Sequence, residues 1–315
     1  MVPARRRLLR DATGPRAHPD AGPRPVSAVF ALCAAFSNAL YVTTQHVAST
    51  SGSVARASGL RLVGRLLRSP LWLFGWAAGL GAFVFQAAAL EHGQLSIVQA
   101  LLVTELVFGL LLRRVWLGQA IRAAAWGAAA LTCAGLGLFV AVDQPRGGIV
   151  TPSAHSWVAA LATFGGAAVV MTLAARRGSP VRRAALYASA AAIVWALVAT
   201  FIKAATDTLA ESGVAAVFTH WPVYALAVGG AAGVVLVQAA LHVGPLSVSQ
   251  PLLVIVDPSV SVVLSVWLFH ERYTRDATTT IGSLFAFTAM CVGVVALTRS
   301  APATMQPLPQ DSPAA

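Results

Sequence analysis

Apolar residues run in nine long blocks broken by short polar stretches, at 26–47, 71–90, 95–112, 123–142, 157–175, 183–205, 221–241, 246–269 and 277–297. A helix needs about 20 mostly apolar residues to cross the hydrocarbon core of a bilayer, so each block predicts a membrane-spanning helix. The segment between the first two blocks is different. It reads GSVARASGLRLVGRLLRSP, with Arg61, Arg65 and Arg68 at i, i+4 and i+7 and Arg56 before them. Each arginine costs about 2.5 to 3.5 kcal/mol at the centre of a lipid-exposed span, so an in-plane interfacial helix is one reading and a tenth, sheltered crossing the other.

Composition agrees with the pattern. The 315 residues are 57% apolar and 10% charged, with a mean hydropathy of +0.73. A soluble domain carries about 25% charge, so this chain cannot clothe a water-facing surface. The formal charge is +11, from 21 arginines and the single Lys203 against eleven acids. The arginines fall almost entirely between the apolar blocks, as cytoplasmic loop charges do, which accounts for the basicity without nucleic acid. The Arg- and Pro-rich stretch 1–25 and the Pro-rich stretch 300–315 read as disordered tails. The first apolar block starts too late and runs too long for a cleaved signal peptide, so it reads as an uncleaved first helix. Cys33, Cys133 and Cys291 have neither disulfide nor zinc spacing and read as buried fillers.

The positive-inside rule places the connections holding Arg113, Arg114 and Arg122, and then Arg176, Arg177, Arg182 and Arg183, in the cytoplasm. The connections with Asp143, Asp207 and Glu211 then face outward, and the C-terminus lies inside. Nine crossings put the arginines of the N-terminal tail outside, against the rule; ten put them inside and require segment 52–69 to cross.

The chain also repeats itself. AALEHGQLSIVQALLV at 88–103 aligns without gaps to AALHVGPLSVSQPLLV at 239–254, with ten of sixteen positions identical, among them Gly93/Gly244, Ser96/Ser247 and Gln99/Gln250. Trp116 and Leu117 match Trp267 and Leu268 at the same spacing; more loosely, Ala39, Leu40 and Thr43 match Ala196, Leu197 and Thr200, His46 stands opposite Lys203, and Cys133 and Gly135 match Cys291 and Gly293. The arginine rule puts the Gly93 turn outside and the Gly244 turn inside, so the copies run in opposite directions. The expected organisation is a first repeat at 26–142, a connecting helix and loops at 143–182 and a second repeat at 183–299: an all-α bundle of nine or ten transmembrane helices built as an inverted repeat. Known transporters of that kind place their site between the halves near mid-membrane.

The hairpin QAALHVGPLSVSQPLLVIVDPSVSVVLSVWLFHERY, with Gly-Pro-Leu between helices, a proline early in the next helix and a glutamate closing it, resembles the drug/metabolite transporter superfamily and its EamA-type repeats. The basic segment after helix one and the lone Lys203 are similar to the NIPA-like magnesium transporter branch. The resemblance covers 26–299 and implies a permease working by alternating access. Glu271 matches the closing glutamate, whereas the first copy has Ala120 at that place, beside Gln119.

Asp257 is the leading candidate, because an ionisable group in the middle of a span is rare and functional by default. At 100° per residue, Ser247, Gln250, Asp257, Ser261 and Ser265 share an arc of about 80°, and Pro251 and Pro258 free carbonyls on the same helix. The alternative is a structural acid capping a proline-induced break. Glu105 is the companion acid, one residue out of register with Asp257 in the repeat. Together they could bind a cation or exchange protons, although on a continuous helix Glu105 lies about 120° from Gln99 and 180° from Ser96. Asn38, Tyr41 and Gln45 share a face of the first helix, for substrate or interhelical hydrogen bonding. Lys203 and Glu271 are gating or salt-bridge candidates, with snorkelling of Lys203 and solvation of Glu271 at helix ends as the expected settings. Trp72, Trp76, Trp221 and Trp267 read as interface anchors. Gly75/Gly79 and Gly229/Gly233 read as close-packing pairs.

His92 and His242 lack metal-ligand spacing, and no nucleotide, metalloprotease or nucleophile-elbow motif appears, so neither an enzyme, a cofactor nor an ATP-driven pump is expected. Three functions stand: a secondary transporter of a small metabolite or drug, a NIPA-like divalent-cation transporter, and a non-transporting membrane scaffold. The partners implied are a small-molecule or cation substrate and the lipid bilayer of the cell membrane, with a monomer or homodimer sufficient to enclose a path.

Overall fold

The computed structural model describes residues 25–116, 118, 120–142, 152–244, 246–271 and 277–300, except 51–68 and the side chains at 46, 48–50, 246 and 247. The Arg-rich segment therefore lies outside the described residues, as do Gln119, Arg272 and Arg275. In chain order the helices are α1 (Pro25–Thr50), α2 (Pro70–His92), α3 (Leu95–Leu102), α4 (Glu105–Val115), α5 (Ala123–Val142), α6 (Ala154–Ala160), α7 (Gly166–Ala174), α8 (Pro180–Ser212), α9 (Val214–Val217), α10 (Pro222–Val243), α11 (Leu246–Leu268) and α12 (Ala277–Ser300). Among the described residues nine spans are long and apolar enough to cross a membrane, and there is no strand. The protein is an all-α, multi-pass membrane protein.

Local chemistry sets the helix ends. Ser69 and Ser179 accept the backbone N–H of Trp72 and Arg182, each followed by a proline whose missing N–H costs nothing in a first turn. Gly213, at φ 78°, ends α8 in a conformation that favours glycine. Two spans are not single α-helices. A π-helical turn, Leu161–Gly165, joins α6 to α7. Between α3 and α4 the amides of Val103 and Thr104 turn back tightly to the carbonyls of Ala100 and Leu101.

Lipid is as apolar as leucine, so close approach and good packing hold such helices together rather than exclusion from water. Small residues supply that approach. In and after α2, Gly75 lies against Thr44 and Gln45 of α1, Gly79 against the Tyr41 ring and Gly93 against Ser27. In and after α10, Gly229 lies against Val198 of α8, Gly233 against the Trp195 indole and Gly244 against Pro180 and Ala184. The third extensive pairing joins α5 to α12, where Gly135 meets the backbone at Met290 and Gly293 meets the backbone at Thr132. Gly282 in turn meets Val142, so partner numbers fall as residue numbers rise and α5 and α12 run antiparallel.

The centre of the molecule is formed by α3, α8 and α11. Leu95, Val98, Leu101, Leu197, Phe201, Leu264 and Leu268 belong to one buried apolar cluster, and α8 is the most buried span. The least buried is α10, which exposes Tyr224, Val228 and Val235. Cys133 departs from the expected burial: it is exposed on α5, because the face of that helix packed on α12 carries Thr132, Gly135 and Leu136 instead.

Candidate functional site

The candidate residues gather in two clusters. The first lies at the level of the α3–α4 interruption. Glu105 opens α4 near the middle of its span, and Asp257 lies near the middle of the Val248–Leu268 span. Asn38 of α1 donates its side-chain amide to a Glu105 carboxylate oxygen. Ser261, one turn beyond Asp257 on α11, donates its hydroxyl to Asp257 Oδ1 at 3.3 Å. Glu105 is a charged neighbour of Asp257 on a separate span, and the weakest of the influences on it after burial and the Ser261 hydrogen bond. Both remain half-buried, whereas Ser261 is fully enclosed.

Glu105 meets Asn38 of α1, whereas Ser96 meets Glu271. Beyond Leu102 the chain departs from the α3 screw, so the angle from Ser96 or Gln99 to Glu105 is not that of one continuous helix. Glu105 is the first residue of α4, where the amides of Thr104 and Leu106 on either side of it are already bonded to the carbonyls of Leu101 and Val103. Asp257 caps no break. Its helix continues through Pro251 and Pro258, and the missing amide of Pro258 leaves the Val254 carbonyl without its usual donor.

The second cluster surrounds the Gly93 turn, and here two expectations are corrected. Lys203 does not snorkel: it is 6% exposed, and its Nζ donates to the carbonyls of Leu90 and Gly93 at 3.3 and 3.4 Å. It also lies 3.7 Å from Asp207 Oδ2, one helical turn on, and 5.5 Å from the centre of the Phe269 ring. Glu271 is not solvated: it is 3% exposed and accepts the Leu95 amide through Oε1 at 3.0 Å and the Ser96 hydroxyl through Oε2 at 2.9 Å. Glu271 therefore caps the N-terminus of α3 from a distant part of the chain. Burial pushes its carboxyl above the ordinary range, against the pull of the Lys203 charge and of hydrogen bonds from Ser96, Leu95 and Ser265.

The local chain path aims Glu271. Phe269 is buried at the end of α11, His270 takes a positive φ of 53°, and the Glu271 amide returns to the Ser265 carbonyl at 3.1 Å. Ser265, expected on the Asp257 stripe, thus serves the Glu271 cluster, and its hydroxyl also bonds the Val262 carbonyl. Asp207 was assigned to an outward connection, but α8 continues to Ser212 and buries it. The four-residue spacing of Lys203 and Asp207 was the signal that could have found this pair.

The remaining candidates separate. Gln99 is buried on α3 and its Nε2 has no hydrogen-bond partner among the described residues. Gln250 is half-buried on α11, and the side chain of Ser247 lies outside the described residues. Tyr41 packs edge-on against Trp76 at 5.8 Å, and Gln45 donates to the Trp72 carbonyl at 3.2 Å, so of the α1 face only Asn38 reaches an acid. Trp221, expected as an interface anchor, also packs at 4.9 Å against the buried Trp157 and at 5.7 Å against Phe201. Among the described residues no group of three or more metal-ligating side chains occurs.

No protein-family description matches the chain. It is similar to an uncharacterized protein of Corynebacterium glutamicum, 26% identical over 238 residues that cover 74% of this chain and 81% of that protein. No solved structure matches it.

Proposed function

We propose that the protein is a secondary transporter of the drug/metabolite type, which carries a small organic metabolite or drug across the cytoplasmic membrane by alternating access. The observation that carries this reading is the reciprocal seam between α5 and α12. The repeat sets Gly135 on Gly293 and, at the same spacing, Thr132 on Met290, and the contacts are Gly135 with Met290 and Gly293 with Thr132. A pair of contacts that exchange under the alignment is the mark of two-fold packing, and the antiparallel course of the two helices is what an inverted repeat requires. The glycine after each hairpin helix supports it too. Gly93 rests on Ser27 at the start of α1 and Gly244 on Ala184 at the start of α8, and the offset that aligns Ala39 with Ala196 also aligns Ser27 with Ala184.

Between halves related in this way, Glu105 and Asp257 supply the means of coupling to an ion gradient. They are ionisable, near mid-span and not sealed off. Gln99 adds a buried donor left for a ligand. A NIPA-like divalent-cation transporter is the second reading, favoured by two carboxylates near mid-span, which are hard oxygen ligands.

The test is uptake by purified protein in proteoliposomes under an imposed pH gradient, over a panel of metabolites and Mg²⁺. Wild-type uptake that falls at least tenfold in a folded Asp257→Asn variant is the expected result, and the substrate taken up distinguishes the two readings. Undiminished uptake in that variant would remove Asp257 from the mechanism, and no uptake of any kind would favour a scaffold.

A further inference from the structure

The cluster at the Gly93 turn joins parts of the chain that a rocking motion of two halves would separate. Glu271 follows α11 and Lys203 belongs to α8, both in the second half. Beyond their own half they hold the carbonyls of Leu90 and Gly93, the amide of Leu95 and the hydroxyl of Ser96, all of the first. The grip is complementary in charge. An ammonium takes the free carbonyls at the C-terminus of α2 and a carboxylate takes the free donors at the N-terminus of α3, each at the end of the helix dipole that favours it. The cluster is closed on itself: Lys203, Asp207, Glu271 and Ser96 are all at least nine-tenths buried.

The corresponding place in the first half is not equipped for the same contact. Ala120 stands at the repeat position of Glu271 and is exposed, with no carboxylate to offer the Gly244 turn. One end of the molecule is therefore fastened by charged hydrogen bonds between the halves, and at the other, among the described residues, alanine stands at the position of the fastening acid.

We propose that Glu271 and Lys203 form a one-sided latch, which closes the transport path at the Gly93 turn and must release that turn for this end to open. The idea rests on the transporter reading for its purpose. Opening can be measured without any substrate, so the latch and the transport reading fail by different experiments. Release leaves a lysine and a glutamate without their cross-half partners, so the latched state dominates in the absence of cargo.

The experiment places a reporter thiol under the turn. Ser27→Cys, in a chain whose three native cysteines are replaced by alanine, puts a nearly isosteric thiol where Ser27 packs against Gly93. Its reaction with a water-soluble maleimide is followed in detergent, where either end is reachable. Slow reaction is expected with the latch intact, and Glu271→Gln or Lys203→Met should speed it at least tenfold. Ser96→Ala removes one hydrogen bond to Glu271 while keeping Lys203 and the Leu95 amide in place, and should speed it severalfold, which keeps the test valid if the charge variants fold poorly. A second reporter, Ala286→Cys, buried at the α5–α12 seam, should stay slow throughout. Unchanged Ser27→Cys labelling in folded Ser96→Ala and Glu271→Gln proteins overturns the latch. Equal acceleration at both reporters overturns it as well, because the variants would then be loosening the whole bundle.

Discussion

Glu271 and Asp257 belong to the same stretch of chain, fourteen residues apart, yet their surroundings have little in common. Glu271 is 3% exposed and its oxygens are used by a backbone amide and a hydroxyl from the other half, with Lys203 nearby. Asp257 is half-buried, accepts one long hydrogen bond from its own helix and has another acid for an electrostatic neighbour. A carboxylate with that many partners is part of the structure, and one with so few is available to something else. Buried charge alone therefore does not separate a structural acid from one free to bind; unfilled bonding capacity does.

The sharpest way to break that contrast is to neutralise each acid in turn and measure unfolding in detergent. Glu271→Ala removes one partner from a buried charged network and leaves the Leu95 amide and the Ser96 hydroxyl without their acceptor, so a loss of about 3 to 5 kcal/mol is expected. Asp257→Asn keeps the shape, can still accept from Ser261 and removes a like-charge encounter with Glu105, so its stability should stay within about 1 kcal/mol of wild type. A Glu271→Ala protein as stable as wild type, or an Asp257→Asn protein that collapses, would reverse the assignment of the two acids.

The sequence made one of these acids legible and concealed the other. Asp257 stands out because a charge inside an apolar run of more than twenty residues is costly and therefore rare. Glu271 and Lys203 lie near helix ends, where local rules send charged side chains to water or headgroups, and nothing local tells that the Gly93 turn comes to cover them. The nine spans were readable for the same reason as Asp257: hydropathy over a window is a local property. The α3–α4 interruption was not, because Val103 and Thr104 are not helix breakers and no glycine or proline marks the place. The repeat was visible as matched residues, but the seam that relates Gly135 to Met290 and Gly293 to Thr132 is a property of packing alone.

Gly93 tests whether the latched turn is rigidly seated. A Cβ there would collide with the Ser27 hydroxyl and lie 2.8 Å from the Ser27 Cβ. Gly93→Ala should cost about 1 to 3 kcal/mol as an overpacked contact, and adding Ser27→Gly should recover most of it. Gly81 has nothing within 4 Å of a Cβ, so Gly81→Ala should be neutral or slightly stabilising. Equal effects at Gly93 and Gly81 would mean that the turn yields easily, and a turn that yields easily cannot hold a gate shut.

The smallest expected effect concerns what aims Glu271. His270 holds a left-handed φ of 53° between the buried Phe269 and the buried Glu271, a region that costs an ordinary side chain about 1 to 2 kcal/mol. Histidine tolerates it better than a β-branched residue does. His270→Val should therefore lose about 1 kcal/mol, whereas His270→Gly should stay near wild type, relief of strain being offset by the greater freedom of the unfolded chain. If the reversal at His270 directs the carboxylate into α3, His270→Val should also speed labelling at Ser27→Cys while His270→Gly leaves it slow. If valine changes neither stability nor labelling, the buried Phe269 ring, packed on Lys203 and Trp157, is sufficient to fix Glu271, and the latch is set by side-chain packing rather than by the backbone turn.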